Sequence, residues 1–166
     1  MTIIHTKGNI TSYTTDVIVN TANTALMPGG GVCGAIHSAA GPQLKRYCLN
    51  LGPCPVGQAR ITPAFGLKSR WIIHAVGPAW HGGANGEPEL LKRAYLSSLD
   101  LARAVGAKSI AFPAISTGIF GYPLEQATDI AVEMLSWGGR GLSIFMVCFN
   151  QETYDAYSAA MGYTGA

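Results

Sequence analysis

Three consecutive glycines, Gly29-Gly30-Gly31, stand just ahead of a stretch of helical period, and a second loop, Ser116-Thr117-Gly118-Ile119-Phe120-Gly121-Tyr122-Pro123, also leads into one. Glycine lets the backbone come close to a ligand, and the first turn of a helix offers unpaired amides whose dipole favours an anion. Each loop follows a run of strand character, so the two are expected to face one another across the crevice at the carboxyl ends of a sheet. A diphosphate between two amide nests is the occupant this pattern predicts. Either loop alone could do no more than turn the chain; the pair carries the prediction.

Other phosphate patterns fit less well. Gly29-Gly30-Gly31-Val32-Cys33-Gly34 satisfies GxGxxG, but about nine residues separate it from the strand ending at Val19, and about twenty residues on stands Gly52-Pro53-Cys54-Pro55 where a dinucleotide fold has a strand ending in an acid. No Gly-Lys-Ser/Thr follows, which excludes a P-loop. Cys33 and His37, four apart, have the spacing of a thiol dyad, yet nothing else argues for a peptide groove. His37 and His74 are read as hydrogen-bonded structural histidines, and Cys48, Cys54 and Cys148 as buried thiols. The cysteines lack the close pairing of a zinc site, so neither a metal nor a cofactor is expected.

Composition bounds the answer from the other side. With 48% hydrophobic and 12% charged residues in 166, the chain can bury a real core as one domain, residues 1–166. A formal charge of +2, with lysines and arginines scattered, does not make the basic stripe of a nucleic-acid binder but leaves room for a small anionic ligand. Apolar stretches such as residues 142–149 fall far short of the roughly 20 residues that span a bilayer, and His5 and Lys7 stand where a signal peptide would be apolar. These features predict a cytoplasmic protein with reduced thiols and no membrane contact. With no apolar stripe left over, a monomer is expected.

The elements that must position the loops follow from periodicity. Residues 16–19, 71–76 and 143–149 are continuously apolar, as in strands covered on both faces, and residues 109–115 read similarly but run into Pro113. Residues 2–6 and 59–62 are weaker strands, expected near the edges. Residues 90–105 carry Leu91, Ala94, Tyr95, Leu99 and Ala102 at helical spacing, with Pro88 in the first turn and Gly106 as a stop. Further helices are predicted over 123–137, from about Cys33 to about Tyr47, and briefly after Asn150. Such alternation predicts an α/β fold, a three-layer α/β/α sandwich with a largely parallel sheet, because parallel neighbours need helical crossovers. The glycine-rich residues 81–88 are expected to form a mobile surface loop, and Trp71, Trp80 and Trp137 to pack in the core or at its rim.

Gly8-Asn9-Ile10-Thr11, Val19-Asn20-Thr21-Ala22-Asn23, the first glycine loop through His37, Ala40-Gly41-Pro42, Ile73-His74-Ala75-Val76-Gly77-Pro78 and Pro113 through Pro123 together resemble the macrodomains, within them the MacroD-type branch. The stretches fall in family order, and the resemblance runs from about Ile3 to Tyr157. It implies a mixed, mostly parallel six-stranded sheet with an ADP-ribose cleft at its carboxyl edge. Carried over position by position, it implies Asn9 and Ile10 beside the adenine, with Phe149 and Asn150 framing that ring. It places Asn23 at the distal ribose, counts Ala22 among the ligand-binding residues, and sets the amides of Gly30, Gly31 and Val32 on that ribose and its phosphate. Ser116, Thr117, Gly118, Ile119 and Phe120 would wrap the diphosphate, and Asn20 would brace the first loop.

The resemblance further implies metal-independent removal of ADP-ribose from modified carboxylate side chains and deacetylation of O-acetyl-ADP-ribose, so that ADP-ribose or an ADP-ribosylated protein is the partner. Asn23 and Cys33 are the catalytic candidates, with Asn23 positioning the distal ribose and Cys33 auxiliary. Two positions depart from the family: Cys33 stands where the branch has an aspartate, and Asn9 where an aspartate receives the adenine amino group. The Asn9 oxygen can still accept that hydrogen, but without charge assistance the bond weakens and selectivity for adenine loosens. The other functions weighed are a reader that binds without turnover, a phosphatase acting on ADP-ribose 1″-phosphate, and binding of adenine-rich RNA, which the weak net charge argues against.

Overall fold

Strands β1 (Thr2–Lys7), β2 (Val17–Thr21), β3 (Ala59–Pro63), β4 (Trp71–Ala75), β5 (Ser109–Phe112) and β6 (Ser143–Cys148) pair into one sheet in the order β1-β6-β5-β2-β4-β3. All neighbours are parallel except β3, which runs antiparallel to β4. The computed structural model describes residues 2–162, so the ends of the 1–166 span lie outside the described residues. The sheet is mixed and six-stranded as expected, with the two weaker strands at its edges.

Among the described residues five α-helices cover the sheet: α1 (Gly31–Ala40), α2 (Pro42–Leu51), α3 (Glu87–Ala104), α4 (Leu124–Gly138) and α5 (Gln151–Ala160). Along β2 the side chains alternate between two cores. Val17 and Val19 pack with Leu91, Tyr95 and Leu99 of α3 and with Leu135 and Tyr157, whereas Ile18 packs with Ile36, Leu44 and Cys48 of α1 and α2. Both faces are thus buried, which is why the central strands are apolar without alternation. Among the described residues no helix is long and apolar enough to cross a membrane.

Two expectations need correction. The helical stretch from Cys33 to Tyr47 is two helices, because Gly41 turns into the left-handed region (φ +92) and Pro42, which lacks an N–H, opens α2 at its first turn. The glycine-rich residues 81–88 are not a free loop: the Glu87 carboxylate accepts backbone N–H groups from His81 (2.8 Å), Gly83 (2.9 Å) and Asn85 (2.7 Å). These bonds, the one from His81 foremost, hold the Glu87 carboxyl at a pKa of about 2.

A depressed carboxylate pKa contributes stability that is present above its ordinary value of 4.5 and lost as pH falls through about 2. Unfolding of the wild type and Glu87→Gln by urea at about pH 5 and about pH 3 checks this. The wild type should lose more stability over that interval than the variant; equal losses would mean that the clasp contributes nothing.

Candidate functional site

The carboxyl ends of β2, β5 and β6 open into a cleft of about 440 Å³. One wall is the first glycine loop with the start of α1. Gly30 caps that helix, and the first intrahelical bond runs from Gly34 N–H to Gly30 O (3.2 Å), leaving the amides of Gly31, Val32 and Cys33 ahead of it. Gly31 has φ +57, a conformation that favours glycine. Gly34 is tightly placed as well: a Cβ there would lie 2.4 Å from Gly29 O.

The opposite wall is the loop after β5. Its shape is fixed from behind by Tyr122 N–H to Ser116 O (2.9 Å), Gly121 N–H to Gly118 O (3.0 Å), Thr117 Oγ1 to Ala114 O (2.8 Å) and Trp80 N–H to Phe120 O (2.8 Å). The Trp80 ring packs on Tyr122 at 4.7 Å between centroids. Ser116, a non-glycine at φ +69, is accommodated because Gly77 opposite it has no side chain; a Cβ there would sit 2.2 Å from Ser116 Oγ. Among the described residues the amides of Gly118, Ile119 and Phe120 find no acceptor. They face the α1 amides across the cleft, and the lining residues include no lysine or arginine. An anion here is met by backbone dipoles and neutral polar groups rather than by a cationic side chain of the described residues.

The two ends of the cleft differ. At one, Phe149 lies 81% exposed beside Asn150, whose Oδ1 caps α5 by accepting Thr153 N–H (2.9 Å). An aromatic face left open in a cleft suits stacking of a planar ring. At the other lie Ala22, Asn23 and Cys33. Asn23 closes a ring with Met27, donating Nδ2–H to Met27 O (2.9 Å) and accepting Met27 N–H (3.1 Å). One N–H and one lone pair of its amide remain for a ligand.

Cys33 is buried but lines the cleft, its Sγ between Met27 O and Asn20 Nδ2, each at 3.6 Å. Behind it a polar chain runs into the sheet. Asn20 Nδ2 lies 3.2 Å from His74 Nδ1, His74 Nε2 lies 3.0 Å from Thr62 Oγ1, and Thr62 donates to Pro63 O (3.0 Å). With Asn20 donating and the threonine hydrogen already placed, this network requires a neutral His74 protonated on Nε2. Burial, helped by the nearby His37, pushes the His74 pKa down to about 3. Asn20 therefore braces the loop from below, as the resemblance implies.

His37 corrects another expectation. Its ring nitrogens find no hydrogen-bond partner among the described residues, and burial lowers its pKa. No thiol–imidazole bond joins it to Cys33, so the four-residue spacing makes no dyad. Trp137 is 75% exposed at the end of α4 rather than packed, whereas Trp71 and Trp80 lie against the core.

Asn9 and Ile10 stand outside the residues that line the cleft. Ile10 is buried, and Asn9 Oδ1 caps a 3-10 helical turn, accepting both Thr11 N–H (3.0 Å) and Thr11 Oγ1–H (2.7 Å). The oxygen expected to receive the adenine amine is thus already doubly engaged. Gly8 N–H to Cys148 O (3.1 Å) sets Asn9 next to the strand end that carries Phe149.

The cleft gathers the remaining candidates: Ala22, Asn23, Gly30 through Cys33, Ser116 through Phe120, Phe149 and Asn150. Sequence reasoning missed Thr21, Pro113, Ala114, Leu124, Val147, Glu152 and Thr153, which also line it. The Asn150 capping pattern could have pointed to Glu152 and Thr153 in the first turn of α5; nothing in the sequence marks the others.

A family model described as Macro domain matches residues 19–131. A macro domain-containing protein of Chlorobaculum tepidum is 50% identical over 165 residues, covering 96% of this chain and 95% of its own. An O-acetyl-ADP-ribose deacetylase of Citrobacter rodentium is 47% identical over 171 residues, with 98% and 96% covered. Among solved structures, the Trypanosoma brucei macrodomain in complex with ADP-ribose superposes with a TM-score of 0.88 at 39% identity, covering 96% of this chain and 69% of that one.

Proposed function

The chain belongs to the macro domain family, and from that premise we propose that it binds ADP-ribose and hydrolyses ester adducts of its distal ribose, either O-acetyl-ADP-ribose or ADP-ribosylated acidic side chains. The observation that carries the proposal is the pair of facing amide nests, Gly31 to Cys33 and Gly118 to Phe120, with an open aromatic ring at one end and Asn23 with Cys33 at the other. The diphosphate sits between the nests, the base stacks on Phe149, and the distal ribose lies by Asn23.

In this reading water adds at the ester carbonyl, the acyl–oxygen bond breaks, the ribose oxygen takes up the proton lost by the water and leaves as a hydroxyl, and the free acid is released. Asn23, rigidly held through Met27, orients the distal ribose, and the diphosphate assists the water. Cys33 is auxiliary, since its sulfur is engaged with Met27 O and Asn20 and no imidazole partners it. A general base contributes about 10²–10⁴-fold to rate. Cys33→Ala should therefore slow ester hydrolysis by less than about tenfold, and a loss of about hundredfold or more would make the thiol the base.

Incubation with ADP-ribosylated substrate and with O-acetyl-ADP-ribose, alongside calorimetry with ADP-ribose, tests the whole proposal. Release of label and of acetate is the expected result. Tight binding with full retention of both would establish the reader instead, a reading favoured by the absence of any carboxylate among the described residues at the distal-ribose end of the cleft.

A further inference from the structure

Among the described residues that line the cleft there is one carboxylate, Glu152, in the first turn of α5 beside Phe149 and Asn150. It has no hydrogen-bond or ion-pair partner among the described residues, although the side chains around it do: Gln151 bonds Lys7 and Asp155, and Asn150 caps the helix. A carboxylate in a cleft built for a diphosphate is unfavourable near the phosphates, and it stands instead at the end where the aromatic ring is open. An ionised carboxylate only accepts hydrogen bonds. The donors that a nucleoside presents there are its ribose hydroxyls and any exocyclic amine.

We propose that Glu152 is a specificity-determining residue that makes the cleft favour nucleoside diphosphate riboses with a free ribose diol on the nucleoside side over the 2′-phosphorylated form. This rests on the ADP-ribose reading of the site and goes beyond it by naming which ADP-ribose is taken. Acidic side chains make the same choice in dinucleotide folds, where an acid bonds the ribose 2′-hydroxyl and an arginine accommodates a 2′-phosphate. Here no arginine or lysine of the described residues lines the cleft. Lys7, the cation tied to this end, donates to Gln151 and lies outside the lining. A phosphate on the ribose would add a charge of about −1.5 to −2 against Glu152 with no cation in the cleft to offset it.

Glu152 is exposed, so water and salt screen the repulsion. The expected discrimination is roughly fivefold at low salt, the scale of an exposed charge contact enlarged for a dianion, and smaller at high salt. Calorimetric titration of the full chain with ADP-ribose and with ADP-ribose 2′-phosphate measures it, for the wild type, Glu152→Gln and Glu152→Lys. The wild type should prefer ADP-ribose. Glu152→Gln should bind ADP-ribose somewhat more weakly and the 2′-phosphate more tightly, closing the gap, and Glu152→Lys should reverse it.

Equal affinities in the wild type, a preference for the 2′-phosphate, or a gap unchanged by Glu152→Gln would each overturn the assignment. Binding of neither ligand to the wild type would instead remove the ADP-ribose reading on which it rests.

Discussion

Replacing Gly34 by alanine should weaken ADP-ribose binding by about tenfold to hundredfold, the scale of one lost hydrogen bond to a charged group, while leaving the helices intact. Alanine is the better helix former by about 1 kcal/mol, so helix propensity alone predicts a gain. The added methyl, however, would sit 2.4 Å from Gly29 O, a backbone atom that yields only if the loop moves. Moving Gly29 carries with it Gly30 and Gly31, whose amides and cap form one wall of the anion site. Calorimetry with ADP-ribose, paired with circular dichroism, separates the two effects. An affinity within about threefold of wild type would show that close packing of the loop on α1 does not set the site.

The second large effect is on acid stability. His74 is held neutral, with a pKa of about 3 against an ordinary 6.5. A lowered histidine pKa means that the unfolded chain binds the extra proton first, so stability is complete above about 6.5 and falls with pH down to about 3. Each unit is worth about 1.4 kcal/mol, so near pH 4.5 the loss should be about 2–3 kcal/mol. His74→Gln removes the titration and should flatten most of this slope. Burial also lowers His37, which leaves part of the slope in place.

Protonated His74 would also turn an N–H toward the Asn20 amide, 3.2 Å away, and loosen the side chain that holds Cys33 Sγ. ADP-ribose affinity of the folded wild type should therefore hold through about pH 4.5 and decline only as pH approaches about 3, a decline the variant should lack. An identical slope in both proteins would acquit His74.

Much of the fold was legible because burial writes itself into periodicity. The central strands are covered on both faces and so read as apolar runs, while Leu91, Tyr95 and Leu99 repeat at the interval that turns one face of α3 inward. Gly41-Pro42 is legible too, as part of the family resemblance, but the helix break it causes is not: the apolar period carries on across it, since α1 and α2 pack against the same side of the sheet. The Glu87 clasp was not legible. A carboxylate that gathers three amides from its own preceding loop shows no pattern in composition, and the glycines around it suggested mobility instead.

By itself, the sequence determined the alternation of strands and helices, the two glycine loops at strand ends, and the residue types at each end of the cleft, since these depend on local backbone freedom and on which face each residue buries. Tertiary structure decided which polar atoms remain for a ligand. Asn20 meets His74 because β2 and β4 pair in a register that sets those residues opposite one another, 54 positions apart in the chain, and β3 then brings Thr62 to the far side of the ring. Asn9 and Asn23 look equally available in sequence, yet local bonds to Thr11 and Met27 take up much of their capacity. Glu152 enters the cleft only because α5 begins where β6 delivers Phe149 to its rim. A side chain's type is local, but the partner that satisfies or frees it comes from strand register and helix packing.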